Sequence, residues 1–378
     1  MPAPIAERGN RRLRRIDRLL GTILLGTLRE RVRRPPPPAP GRIAWIKLGA
    51  IGDLLLLTPV LDALRAALPE TEIWGVVSPG NASVAERLGL ADRWLVIDPV
   101  RDLRHPLALD RCLRRAPVMD AALCFEQWSR GTAWMATRLR AGWRAGFWTP
   151  GHLHGRGLDW RELHRRDRHE WQNFAALAAP LGARCTAPRL RFPLDEAERR
   201  WAGERGFVGA IVLHPGAGRS PRHLRAWPEE RFVALGRALQ ADGEQIVVTR
   251  DDGDSAGSEA VARELGAPCV AGELGQIAAG LAAARLVVVA NTGLLHLATA
   301  VETPVVSPNG PVDPVRFGAL GEAVTVSSNE HCSPCLHLGF EYSCPAKPGA
   351  CMHAIDVEMV YNACCSFLRR IDHPTVDV

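Results

Sequence analysis

Four short turns carry residue types that could do chemistry. Gly49-Ala50-Ile51-Gly52-Asp53, His214-Pro215-Gly216-Ala217-Gly218 and Asn291-Thr292-Gly293, with His296 one turn on, each follow an apolar run and lead toward helical periodicity. A glycine at such a junction lets backbone amides approach an anion, and a helix start favours negative charge there. Arg219, Arg222 and Arg225 follow the second turn, and guanidinium groups beside such amides suit a diphosphate; a solvated basic loop is the alternative. In the third turn Thr292 and Gly293 offer hydroxyl and amide donors, while His296 is either a phosphate donor or a packed helix residue. Gly310-Pro311-Val312-Asp313-Pro314 is the fourth, with a tight turn as its plainer reading. Asp53 is the candidate for proton chemistry, and a helix-capping carboxylate is the other role its position allows.

Two nucleotide motifs are excluded. The G-x-G-x-x-G dinucleotide pattern is missing at both Gly49 and Gly216. The only lysines, Lys47 and Lys347, lie outside any Gly-Lys-Ser/Thr context, so no phosphate-binding P-loop is present. Cys332, Cys335, Cys344 and Cys351 are spaced C-x2-C-x8-C-x6-C. Four thiolates this close suit a structural zinc or iron knuckle, and a reduced cysteine-rich loop is the alternative.

The elements that must position these residues alternate strand and helix. Ile43–Lys47 reads as a buried strand, 54–68 as a helix and Glu72–Val77 as a second strand, which together form the βαβ unit of a parallel sheet. Arginines and tryptophans between Trp128 and Trp171 read as an irregular surface region. After a linker at Pro188–Pro193, a second series begins at Ala210–His214, with a helix near 229–242, strands at 245–248, 286–290 and 303–307, and a helix through Ala300. The expected fold is α/β, with two Rossmann-like doubly wound lobes and a cleft between them where ligands bind at the carboxyl ends of strands. Residues 41–190 form the first lobe and residues 191–355 the second. A final helix in residues 356–378 is expected to pack across the lobes.

Composition limits the partners. The chain has 378 residues, 47% hydrophobic and 23% charged, the balance of a folded protein and not of a disordered one. Ten arginines and three acidic residues fall in residues 1–40, which more than accounts for the net charge of +6. The rest is close to neutral, which argues against nucleic acid as partner. Leu13, Ile16, Leu20, Ile23 and Leu24 recur at helical spacing among those arginines and stop before Pro35–Pro38. That pattern reads as an appended basic amphipathic helix on a stiff Pro-rich spacer, suited to an anionic membrane surface; a helix packed on the body, or a disordered arm, is the alternative. No run reaches the roughly 18–20 apolar residues that span a bilayer, and arginines rather than a cleavage site follow Leu28. The expected location is therefore cytoplasmic, with the ten cysteines as thiols or metal ligands.

The set of motifs resembles glycosyltransferase family nine, the lipopolysaccharide heptosyltransferases. The matching stretches are Ile46-Lys47 with Gly52-Asp53 and Thr58-Pro59, His214 through Gly218, Trp227-Pro228 with Arg231-Phe232, Thr292-Gly293 with His296-Leu297, Thr303-Pro304-Val305, and Gly310-Pro311 with Asp313-Pro314. The resemblance covers about residues 43–365, in the right order, and implies a GT-B fold with acceptor on the first lobe and nucleotide sugar mainly on the second. It implies inverting transfer of heptose from ADP-heptose to a lipid-linked oligosaccharide, an inner-core lipopolysaccharide sugar, with no cofactor required. By position Asp53 matches the catalytic base, Arg225 the cation near the diphosphate, and Thr292, Gly293 and His296 the phosphate-binding turn. Gly52, Gly216, Gly218 and Asn291 complete the donor set, with Glu259 as ribose ligand. Two positions depart from the family pattern: Arg225 stands where Lys is usual and keeps the charge, whereas Asn291 stands where Asp is usual and loses it. Asn291 keeps a UDP- or GDP-sugar open as donor; a non-catalytic nucleotide-sugar-binding scaffold is the reading from another class.

Overall fold

A computed structural model describes residues 5–6, 11–102, 105–127, 129–148, 153, 155–216, 222–250, 255–335, 341–342, 344 and 347–372. The chain divides into two compact units: Gly9–Pro188, and Arg189–Val378 together with Met1–Arg8.

The first unit is built on a six-stranded parallel sheet. Its order is Arg93–Val96, Glu72–Val77, Arg42–Lys47, Met119–Cys124, Ala141–Trp148, Trp160–Leu163. Winding thus reverses between the first strand and the fourth, the switch point at which open α/β sheets bind ligands. Arg42–Lys47 is buried at every position but its first, as a central strand covered on both faces must be. The helix Ile51–Ala67 is equally apolar around its first half, and Leu54 through Leu57 are fully buried. Pro59 inside this helix removes the amide that would bond the Leu55 carbonyl. The Thr58 hydroxyl donates to that carbonyl at 2.7 Å instead, which explains the Thr58-Pro59 pair physically.

Two expectations need correction here. The region from Trp128 to Trp171 is not irregular: it contains the helix Arg130–Arg138 and two strands of the sheet. Trp143, Ala145 and Phe147 alternate inward along one of them; the interposed Arg144 masks that period-two pattern. Nor is the N-terminal helix Arg11–Gly26 an appendage. Its Asp17 carboxylate accepts from Ser129 Oγ and from the Arg130 and Gly131 amides at 2.8–3.0 Å, an anion on the start of the Arg130–Arg138 helix. At Gly21 a side chain would lie 2.5 Å from the Arg130 Cβ, so only glycine permits this approach. Leu25 is fully buried among Leu109, Leu113, Met119 and Trp134. The docked face is thus Asp17, Gly21 and Leu25, leaving Leu19, Leu20 and Ile23 exposed.

The segment before the prolines is strapped down as well. Arg31 Nη1 and Arg34 Nη2 reach Asp159 Oδ1 at 3.1 and 2.6 Å, the Arg144 amide donates to Asp159 Oδ2 at 3.0 Å, and Arg33 stacks 3.6 Å from the Trp160 ring centroid. Burial raises the Asp159 carboxyl, but the two guanidinium groups outweigh it and hold it below the ordinary aspartate value. Because the arginines are half exposed, Asp159→Asn is expected to cost a modest amount, about 1–3 kcal/mol near neutral pH. A carboxyl depressed in the folded state stabilises above its unfolded pKa and loses that contribution as pH falls through the folded one. Wild type and variant should therefore differ in denaturant midpoint at pH 7 and converge in acid, as pH falls through the depressed folded-state pKa. A gap that persists in acid would remove the ion pair as its cause.

The second unit repeats the topology. Its parallel sheet runs Cys269–Val270, Ile246–Thr249, Ile211–His214, Leu286–Val289, Val305–Asn309, Ala323–Ser327, again reversing between first and fourth strands. The core gathers Trp227, Phe232, Leu235 and Leu239 around the helix Glu229–Ala241. Against it packs the C-terminal helix Val357–Asp372, with Val360, Cys364 and Phe367 inward. That helix is therefore part of this unit's own core.

Candidate active site

In the first unit, charged groups collect at the carboxyl ends of the strands flanking the switch point. Lys47 is the last residue of the first strand, and Glu126 and Gln127 follow the fourth. Asp53 lies in the first turn of the helix that follows Lys47, 5% exposed. Lys47 Nζ stands 3.3 Å from Asp53 Oδ2 and 3.5 Å from Glu126 Oε2, and donates to Gln127 Oε1 at 3.0 Å. Burial, the largest effect, pulls the ammonium pKa down. Glu126, Asp53 and Glu170 together outweigh it and hold Lys47 above the ordinary lysine value. Behind this group Gln127 Nε2 donates to Glu170 Oε1 at 2.8 Å, and His164 Nε2 is 2.8 Å from the same oxygen.

The turn that presents Asp53 is fixed by backbone bonds. Glu126 Oε1 accepts from the Leu48 and Gly49 amides, both at 2.7 Å. Ala50 precedes the helix at φ +46°, in the left-handed region that favours glycine, so the turn holds backbone strain beside the candidate base. No side-chain cap closes this helix; Asp53, in its first turn, instead faces Lys47. Gly52 is buried next to it.

In the second unit the same rule places His214 at the end of the first strand, Thr249 at the end of the second and Asn291 beyond the fourth. His214 Nδ1 is 3.0 Å from Thr249 Oγ1. Thr292 caps the helix Gly293–Ala300, its hydroxyl accepting from the Leu294 amide at 3.3 Å, and His296 is buried in that helix. Arg225, also buried, donates from Nη2 to the Asn291 carbonyl at 2.6 Å, and Asn291 Nδ2 donates to the Phe317 carbonyl at 2.6 Å. These two residues therefore tie the Asn291–Gly293 turn to its surroundings. A cavity of 140 Å³ opens there, lined by His214, Thr249, Arg250, Leu274, Ile277 and Leu294. Glu259, half exposed, reaches its rim through Arg250, 3.7 Å from the guanidinium. Gly216 closes the described part of the second turn, while Gly218 lies outside the described residues.

The structure thus brings Arg225, Asn291, Thr292 and Gly293 together, and brings Asp53 together with Lys47, Glu126 and Gln127. Sequence reasoning missed Glu126, Gln127, Glu170, His164, Thr249 and Arg250 as site residues. The signal was present in the polar residues that end apolar strands, as at Lys47 and Glu126.

None of the ten cysteines is joined in a disulfide. Burial first, then Cys335, Cys332 and Cys344, push the Cys351 thiol up to about 11. Among the described residues no group of three or more His, Cys, Asp or Glu side chains is arranged to hold a metal ion.

A family model described as glycosyltransferase family 9 (heptosyltransferase) matches residues 121–344. No curated protein matches the chain. Among solved structures, a family 9 glycosyl transferase from Veillonella parvula superposes with a TM-score of 0.72 at 21% identity, covering 87% of this chain and 98% of its own. The ADP-heptose lipopolysaccharide heptosyltransferase II of E. coli gives 0.64 at 20% identity, covering 88% and 99%. The E. coli heptosyltransferase WaaC with ADP gives 0.66 at 19%, covering 87% and 99%. These likenesses establish the GT-B fold, built from two Rossmann-like α/β units.

Proposed function

Since the chain belongs to glycosyltransferase family 9, the heptosyltransferases, we propose that it moves heptose from ADP-heptose to an inner-core lipopolysaccharide sugar or a related glycan. The observation that carries this reading is the family match, which spans both units, together with a buried Asp53 held beside Lys47. Asp53 takes the proton from the acceptor hydroxyl as that oxygen attacks the anomeric carbon. The new carbon–oxygen bond forms as the bond from anomeric carbon to phosphate breaks, and ADP leaves with the electron pair. A single displacement of this kind inverts the anomeric centre. Charge on the departing diphosphate is met by the amides and hydroxyl of Thr292 and Gly293 at the helix start, without a metal. The cavity beside His214, Thr249 and Arg250 takes the nucleoside.

Asn291 favours one further reading, a different nucleotide sugar, because the amide puts no charge where the family usually has a carboxylate. Purified protein with a lipid A–core acceptor and a panel of nucleotide sugars, in EDTA, separates the cases. Transfer from ADP-heptose in EDTA is the expected result. Transfer from a UDP- or GDP-sugar alone would replace the donor, and no transfer from any donor would favour a binding scaffold.

The anionic membrane surface is the proposed docking partner, on the cytoplasmic face of the inner membrane. Among the described residues no helix is long and apolar enough to cross a membrane. Support comes from Leu19, Leu20 and Ile23, exposed on the side of the N-terminal helix away from its docked face, in an arginine-rich segment. Deleting residues 1–40 would also strip Leu25 from the core, so Leu19→Glu with Ile23→Glu is the cleaner test. The double variant should no longer sediment with phosphatidylglycerol vesicles; unchanged sedimentation would overturn this surface.

A further inference from the structure

A carboxylate that accepts a proton from an acceptor hydroxyl must be ionised before the acceptor arrives. Burial works against this, since removal from water favours the neutral acid. Asp53 is buried, so something in its surroundings must hold the charge. The Lys47 ammonium, 3.3 Å from Oδ2 and itself 1% exposed, is placed to do so. An ammonium that deep is stable only if carboxylates surround it. Those facing it are Asp53, Glu126 and Glu170, with the Gln127 amide oxygen at 3.0 Å, the Cys124 thiol nearby, and the Phe174 ring centroid at 5.7 Å. Glu126 has a second task. While Oε2 faces Lys47, Oε1 holds the Leu48 and Gly49 amides of the turn that presents Asp53. One carboxylate therefore couples the position of the ammonium to the position of the turn.

We propose that Lys47 is a positioning residue for the transfer reaction: its ammonium keeps Asp53 ionised and fixes Oδ2, and Glu126 locks that ammonium to the Leu48–Gly49 backbone. The proposal rests on the reading of Asp53 as the base. Asp53 is thereby charged throughout the working range, its proton uptake coupled to attack by the acceptor oxygen. Glu170 and His164 form the layer behind, through Gln127.

The test reads the carboxyl group itself. In the intact protein the Asp53 ¹³C carboxyl resonance, assigned by its loss in Asp53→Asn, should stay in the carboxylate form from about pH 5 to 9. Proton uptake inside that range in the wild type would overturn the proposal without any variant. Lys47→Gln combined with Glu126→Gln removes the cation without adding net buried charge. In it the Asp53 titration should move up by about one to three pH units. The acid limb of kcat/KM should move with it while the donor KM is unchanged. A folded variant with an unmoved titration, or with activity lowered equally at every pH, would overturn the proposal. Should the double variant fail to fold, the wild-type titration and retention of the pH profile in Lys47→Arg decide. An active Asp53→Asn would remove the base reading alone, because the titration does not depend on turnover.

Discussion

Replacing Asp53 with alanine is expected to lower the transfer rate by about 10²–10⁴-fold, the usual worth of a positioned general base, while the protein stays folded. Loss of the carboxylate does not orphan the buried ammonium, since Lys47 keeps Glu126 Oε2 at 3.5 Å and Gln127 Oε1 at 3.0 Å. The helix loses one favourable charge in its first turn, worth about 0.3–1 kcal/mol. Apart from Gly52, the candidate donor ligands all lie in the other unit, from Gly216 to His296, so the donor KM should change little. Steady-state kinetics with a circular-dichroism melt on the same sample checks both halves. Transfer within about tenfold of wild type would assign the base elsewhere.

Trp227→Ala is expected to have the largest effect on stability, about 3–5 kcal/mol. The indole is fully buried and meets Phe232 edge-on, with centroids 4.9 Å apart and planes at 76°. Its Nε1 donates to the Ile355 carbonyl at 2.9 Å, fastening the segment that leads into the C-terminal helix. Arg231 also donates to that carbonyl, so the acceptor stays partnered and the loss comes mainly from the cavity. Trp227→Phe refills much of that volume and should cost clearly less, about 1–2 kcal/mol. Urea unfolding followed by circular dichroism measures both. Equal costs for the two would assign the effect to the hydrogen bond instead of to packing.

Much of the fold is legible in the chain because a central parallel strand, covered on both faces, must read as an apolar run. Residues 43–47, 72–77 and 286–290 each do, and the strands occur at Arg42–Lys47, Glu72–Val77 and Leu286–Val289. Where arginine interrupts the pattern, as at Arg144 between Trp143 and Ala145, the strand is missed although every second residue faces inward. The N-terminal helix misleads for a related reason. Its docked face is made of Asp17, Gly21 and Leu25, and two of those three carry no hydrophobic signal.

The sequence by itself determines that two α/β units follow one another, that a carboxylate at position 53 starts a helix after a buried strand, and that Thr292-Gly293 opens another. Those are local properties, set by periodicity and by what glycine, threonine and proline allow. Only the tertiary structure decides what Asp53 faces. Lys47, Glu126, Gln127 and Glu170 lie up to more than a hundred residues apart in the chain, and they meet because parallel strands end on one edge at the point where the winding reverses. The charge surplus is redefined in the same way. Arg31 and Arg34 are held by Asp159, which no local rule connects to them. Burial makes each of these charges dependent on its partners, and partners are chosen by the sheet.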